Sequence, residues 1–96
     1  MTGVDRVSAY RVVAAGRVQG VNFRYAALRQ AERLGLAGWV RNRHDGAVEA
    51  FVQGESGSVE RFLAWMARGP PHARVDDIET NPAALDDSLD GFDIRF

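Results

Sequence analysis

The chain has 96 residues, 46% of them hydrophobic, and its 12 basic and 13 acidic side chains leave a net charge of −1. This size suits one domain with a two-layer core, and the balanced charge disfavours a nucleic-acid binder, whose basic face supplies most of its affinity. The chain has no cysteine, which excludes disulfides and thiolate metal sites, and no apolar run approaches the ~18 residues of a membrane span. We therefore expect a single domain over residues 1–96 with a flexible N-terminus at residues 1–7. We also expect a cytoplasmic monomer that binds neither nucleic acid nor a membrane.

The first third of the chain predicts a strand followed by a helix. Residues 8–15 are rich in valine and alanine, a composition typical of a strand, and Gly16 ends the run. Asn22 is a favourable N-cap, and Gly35 is a favourable helix end. Between these two residues, apolar side chains recur at helical spacing, at Phe23, Ala27, Ala31 and Leu34.

A hairpin and a second helix follow. Residues 36–42 and 47–53 predict two strands joined by a tight turn at Asp45-Gly46, since both turn residues tolerate positive φ. Residues 56–68 predict a helix, because their apolar side chains recur along one stripe, and the Gly-Pro-Pro run at residues 69–71 ends it.

Two more strands complete the pattern. Residues 75–80 predict a weaker strand, because Val75 and Ile78 would fall on opposite faces unless the strand is bulged. An acidic loop spans residues 81–90, and alternating apolar residues predict a closing strand at Phe92, Ile94 and Phe96. The order β-α-β-β-α-β plus a short edge strand predicts an α+β, ferredoxin-like (split βαβ) fold. In this fold two helices cover one face of a mostly antiparallel sheet.

The loop between the first strand and the first helix is one candidate site. A glycine-bounded turn before a helix N-terminus offers unpaired backbone N–H groups that favour an anion. Arg24 stands in the first helical turn, where a cation opposes the helix dipole by up to about 1 kcal/mol, and its planar fork can hold two phosphoryl oxygens. A solvated surface arginine is the alternative. Arg17 also lies in this loop, and a side chain turned to solvent is the simpler interpretation for it.

Asn42, at the end of the second predicted strand, is the other candidate. As an isolated residue it is a typical turn former. In a split βαβ fold, however, this strand end can approach the loop that follows the first strand, and the Asn42 amide would then offer both a donor and an acceptor to a water molecule.

Two stretches of the chain resemble the signature motifs of the acylphosphatase family. Residues 16–24 read GRVQGVNFR, similar to the family's G-R-V-Q-G-V-x-F-R loop, and residues 38–42 read GWVRN, similar to its G-W-V-x-N motif. The intervals, the Asp-Gly turn and the closing strand match as well, so the resemblance covers about residues 10–96. It implies a ferredoxin-like enzyme that hydrolyses the carboxyl-phosphate anhydride of acyl phosphates to carboxylate and inorganic phosphate, with no metal and no cofactor.

The resemblance also implies roles by position. Arg24 would be the phosphate-binding arginine and Asn42 the water-orienting asparagine. The phosphate cradle would be the backbone of Val18, Gln19, Gly20, Val21, Asn22 and Phe23. Asn22 departs from the family pattern, since many members carry glycine at this position. Asparagine tolerates a positive φ, and N-capping is the alternative role for it.

A non-catalytic function is the alternative to the enzyme. It would be a phosphate- or carbamoyl-phosphate-binding module, like the acylphosphatase-like domain of some larger maturation proteins. An RNA-binding module is disfavoured, because only Tyr10 and Phe51 supply aromatic residues to the predicted first and third strands. His44 and His72 lack partners at metal-ligand spacing, so we expect exposed loop residues. Since no general acid is evident, the substrate must carry a leaving group that departs unprotonated, as a carboxylate of pKa about 4 does.

Overall fold

Every strand and helix predicted from the sequence is present in the computed structural model of the chain, which describes residues 6–96. The elements are β1 (Val7–Arg17), α1 (Phe23–Arg33), β2 (Ala37–Asn42), β3 (Val48–Glu55), α2 (Ser56–Arg68), β4 (Arg74–Pro82) and β5 (Phe92–Arg95). Each boundary lies within about two residues of its prediction, the usual uncertainty at element ends. Of the terminus predicted to be flexible, residues 1–5 lie outside the described residues, and Val7 already belongs to β1.

The five strands form one sheet in the order β4-β1-β3-β2-β5. Neighbouring strands are antiparallel except β2 and β5, which run parallel. Both helices pack on the same face, so the predicted ferredoxin-like fold is confirmed, and the 4 residues of β5 form the short edge strand. Because β1 and β2 both run antiparallel to β3, their carboxyl ends lie at the same end of the sheet. The carboxyl end of β5 lies there too.

The hydrophobic core lies between the sheet and the two helices. Side chains alternate across each strand, so the valines and alanines of β1 and β3 that face the helices are fully buried. The helices bury one stripe each, made of Phe23, Ala27 and Ala31 in α1 and of Val59, Phe62 and Met66 in α2. The predicted stripes are therefore the core-facing sides of both helices.

The irregularity predicted for the fourth strand is a bulge. Ala15 of β1 pairs with Asp77, but Gly16 pairs with Val75, so Asp76 is an extra residue in β4. The extra residue restores the alternation, and both Val75 and Ile78 pack against the core. The bulge thus explains the pattern that appeared inconsistent in the sequence.

A buried carboxylate connects three strands on the sheet face away from the helices. Glu49 of β3 is 2% exposed, and its two oxygens accept bonds from Arg11 of β1 and Arg41 of β2, with the closest contacts at 2.6 Å. Burial raises the pKa of Glu49, but the hydrogen bonds and positive charges of the two arginines outweigh it and hold the pKa below the ordinary value. No local sequence pattern reveals this cluster, because its three members meet only through strand pairing.

Candidate active site

The loop from β1 to α1 alternates the sign of its backbone φ angles. Gly20 has φ 75° and Asn22 has φ 66°, while the residues between and beside them have negative φ. Such alternation turns successive backbone N–H groups toward one concave side, a geometry that binds anions. The prediction that Asn22 adopts a positive φ is therefore confirmed. N-capping by its side chain is wrong, because that side chain makes no capping hydrogen bond.

The N-terminus of α1 adds further donors to this concave loop. The first helical hydrogen bond runs from the Ala26 N–H to the Asn22 carbonyl, at 3.1 Å. The N–H groups of Phe23, Arg24 and Tyr25 therefore have no partner inside the helix. The first turn carries no acidic residue. The positive end of the helix dipole is thus left uncompensated, which favours an anion in front of it.

Arg24, in the first turn of α1, adds a full positive charge at this end of the sheet. Its guanidinium lies over the ring of Phe96, with Cζ 4.9 Å from the ring centroid. The parallel register pairs Arg41 with Arg95, the residues directly before Asn42 and Phe96. Among the ion pairs formed by residues 6–96, none involves Arg24, so its donors remain available for a ligand.

Asn42 ends β2 at this end of the sheet. Its Oδ1 atom is buried and accepts no hydrogen bond from any described residue. A buried acceptor without a donor costs about 1–3 kcal/mol, so it is rare unless a ligand or a water supplies the donor. The Asn42 amide therefore has an unused hydrogen-bonding atom beside the loop that follows β1.

Side chains of the loop itself fix its position. Val18 and Phe23, at its two ends, are 1% and 2% exposed, and the Phe23 ring packs edge-on against Trp65 at 5.4 Å. Between them, the Gln19 amide donates to the backbone carbonyls of Arg43 and Ala47, at 2.8 and 3.0 Å. The loop is thus attached both to the core and to the hairpin that follows Asn42.

The motif residues of the sequence thus come together at one end of the sheet, in a chain whose residues 10–94 match the family model described as Acylphosphatase. The chain belongs to the acylphosphatase family. It is 60% identical to the acylphosphatase of Azoarcus sp. (strain BH72) over 78 residues, which is 81% of this chain and 79% of the relative. It is 44% identical to that of Rubrobacter xylanophilus over 95 residues, which is 99% of this chain and 86% of the relative.

Solved structures agree with the sequence relatives. The chain superimposes on the crystal structure of the acylphosphatase from Bacillus subtilis with a TM-score of 0.88 and 35% identity, over 95% of this chain and 100% of that one. The match spans most of the length of these three acylphosphatases and favours the enzyme over a non-catalytic binding module. The chain is therefore an acylphosphatase, a hydrolase of the carboxyl-phosphate anhydride of small acyl phosphates.

The remaining candidate residues of this acylphosphatase lie apart from the concave loop or at its edge. Arg17 is exposed at the end of β1, and His44 and His72 are exposed in loops. Within residues 6–96, no group of three or more His, Asp or Glu side chains is arranged to hold a metal ion. Neither of the two helices in this part of the chain is long and apolar enough to cross a membrane.

Sequence reasoning missed two side-chain contacts of the site. The sequence pattern indicates Phe96 only as a strand residue, because its contact with Arg24 depends on β5 pairing with β2. The resemblance implies a role only for the backbone of Gln19, and its side-chain hydrogen bonds to the hairpin depend on how the strands pair. The family motif itself, which carries Gln19 at a fixed place, was the one available signal for the second contact.

Proposed function

We propose that Arg24 and the concave loop bind the phosphoryl group of an acyl phosphate, and that Asn42 orients the attacking water. The loop residues in question are Val18, Gln19, Gly20, Val21, Asn22 and Phe23, which contribute backbone N–H groups. The observation that carries the proposal is the convergence of three unused features at one end of the sheet. Within residues 6–96, they are the guanidinium of Arg24, which forms no ion pair, the N–H groups at the start of α1, which have no partner in the helix, and the Oδ1 of Asn42, which accepts no hydrogen bond.

The chemistry follows from where charge develops. In the transition state, negative charge spreads over the phosphoryl oxygens, and fixed donors stabilise it without reorganisation. Arg24 can donate two parallel hydrogen bonds to two of these oxygens, and the loop amides face the others. The site therefore supplies positioning and electrostatic stabilisation, which are the main requirements of phosphoryl transfer.

Asn42 supplies the direction of attack. Its amide can accept a hydrogen bond from a water proton and donate one to a neighbouring oxygen, which fixes the water opposite the leaving group. Asparagine is no base at neutral pH, so the proton released by the water passes to a phosphoryl oxygen. The water oxygen bonds to phosphorus, the phosphorus–acyl oxygen bond breaks, and its electron pair leaves on the carboxylate. The products are a carboxylate and inorganic phosphate.

We also infer that the enzyme acts as a cytoplasmic monomer, with neither nucleic acid nor membrane as a partner. All proposed site residues come from one chain, which supports a complete site in each monomer. The near-neutral charge supports the lack of a nucleic-acid partner.

The test is hydrolysis of benzoyl phosphate by Arg24→Gln beside Arg29→Gln. Arg29 is an exposed arginine on the same helix, so its variant matches the change in charge away from the site. We expect Arg24→Gln to lose on the order of 3–4 kcal/mol of transition-state stabilisation, about 10²–10³-fold in kcat/KM. Arg29→Gln should stay within about threefold of wild type. Near-normal kcat/KM in Arg24→Gln would overturn the assignment.

A further inference from the structure

The Gln19 side chain makes both of the described side-chain hydrogen bonds that join the concave loop to the β2–β3 hairpin. Its Nε2 donates to the Arg43 carbonyl at 2.8 Å and to the Ala47 carbonyl at 3.0 Å. The two residues lie 24 and 28 positions away in the sequence. Both protons of one amide nitrogen are therefore used on two backbone acceptors of another element.

The two acceptor carbonyls, of Arg43 and Ala47, also accept the backbone hydrogen bonds that hold the hairpin turn. The Arg43 N–H donates to the Ala47 carbonyl at 2.8 Å, and the Gly46 N–H donates to the Arg43 carbonyl at 3.2 Å. Gln19 therefore bonds to a turn that is already held by its own backbone bonds. Asn42 directly precedes this turn. Because the turn is bonded to the loop, the backbone of Asn42 is also held in a fixed position relative to the loop.

Gln19 lies at the start of the segment in which φ alternates in sign, next to Gly20. A shift of its amide would therefore move the loop N–H groups relative to the end of β2. The phosphoryl group would follow the loop, and the attacking water would follow Asn42. In-line attack depends on the distance between the phosphoryl group and the attacking water, and a misplacement of about 1 Å can cost about 10²-fold in rate.

We propose that Gln19 is a positioning residue that sets the distance between the phosphate cradle and the water-orienting amide of Asn42. This inference rests on the roles proposed for the loop and for Asn42. Gln19 acts on kcat through Asn42 and leaves phosphate binding to the loop and Arg24. Glutamine suits this task because its amide nitrogen offers two donors to two carbonyl acceptors, whereas the carboxylate of glutamate offers none.

The experiment compares Gln19→Met with wild type in kcat for benzoyl phosphate and in the inhibition constant of inorganic phosphate. Methionine keeps the length of the side chain and removes both donors. Gln53→Met is the matched control, because the Gln53 amide likewise makes two hydrogen bonds, both to the backbone of Asp86, at the opposite end of the sheet from Asn42. We expect Gln19→Met to lower kcat by about 10–100-fold, with the inhibition constant of phosphate within about threefold. Gln53→Met should leave both constants unchanged.

A double-mutant cycle with Asn42→Ala separates positioning from a general structural effect. If Gln19 acts through Asn42, then Gln19→Met should lower kcat by less than about threefold in the Asn42→Ala background. An effect as large in that background as in wild type would overturn the proposal. So would an unchanged kcat in Gln19→Met, or a loss of phosphate affinity that accounts for the whole change in rate.

Two controls keep the result readable. Thermal unfolding of each variant identifies a folding defect, and Gln19→Asn, whose shorter side chain cannot reach both carbonyls, replaces Gln19→Met if that variant does not fold. The single variant Asn42→Ala is measured first. If it keeps the wild-type kcat, the proposed site is wrong and this inference falls with it. If Asn42→Ala is slow while both Gln19 variants are normal, only the inference about Gln19 is wrong.

Discussion

The guanidinium of Arg24 lies over the aromatic ring of Phe96, with its Cζ atom 4.9 Å from the ring centroid. The face of an aromatic ring attracts a cation, and it also restricts the rotamers of the arginine that rests on it. Phe96 follows β5, the edge strand that pairs in parallel with β2. Phe96 thus contacts the side chain proposed to bind the phosphoryl group.

Replacing Phe96 by leucine should weaken phosphate binding modestly. A cation over an exposed ring gains about 0.5–1 kcal/mol, so the inhibition constant of inorganic phosphate should rise about two- to fivefold. Phe96→Tyr keeps an aromatic face and should retain wild-type affinity. Equal affinities in Phe96→Leu and Phe96→Tyr would show that the ring does nothing for Arg24.

Replacing Asn42 by alanine should slow the reaction without weakening binding. The change removes the amide that orients the water, so kcat should fall by roughly 10²-fold or more. The inhibition constant of inorganic phosphate should change by no more than a few-fold, because Arg24 and the loop amides remain. A parallel collapse of phosphate binding would instead make Asn42 a phosphate ligand or a structural turn residue.

How far the sequence reveals this structure depends on how local each signal is. The helices and strands follow from short-range patterns, and even the bulge at Asp76 was foreshadowed by the mismatch between Val75 and Ile78. The sequence leaves two possibilities for Asn22, because asparagine tolerates a positive φ and also caps helices. The geometry at the start of α1 distinguishes them, since Asn22 has a positive φ and its side chain makes no capping hydrogen bond. Contacts between strands are different, because no local pattern places Glu49 between its two arginines.

Glu49 provides a prediction about stability and pH. Its carboxylate is buried between Arg11 and Arg41, and Glu49→Gln should lower the free energy of unfolding by about 2 kcal/mol at pH 7. The folded pKa of Glu49 is lowered, so its contribution is complete above the ordinary value of 4.5 and is lost as the pH falls through the lowered pKa.

Urea unfolding of wild type and Glu49→Gln between pH 7 and pH 3 measures this contribution directly. The gap between the two unfolding free energies should be constant near neutrality and should shrink below about pH 4.5. Subtracting the variant cancels the other acidic groups, whose titration both proteins share. A gap that widens as the pH falls would contradict the assignment of a charged Glu49 held by its arginines.

The proposed site stabilises charge and aligns water but protonates no leaving group, so the pKa of the leaving group should control the rate. The measurement is kcat/KM for benzoyl phosphate, p-nitrophenyl phosphate and an alkyl phosphate, in EDTA, with wild type and His44→Ala. His44 is exposed in the turn after Asn42 and is the histidine that the sequence places nearest the proposed site. Benzoyl phosphate, whose carboxylate has a pKa of about 4, should be fast and p-nitrophenyl phosphate slow. The alkyl phosphate should be nearly inert, because an alkoxide needs acid assistance that typically supplies about 10²–10⁴-fold. His44→Ala should leave every rate and this ranking unchanged. Efficient hydrolysis of the alkyl phosphate that disappears in His44→Ala would instead show that the site holds a general acid and that the proposed mechanism is wrong.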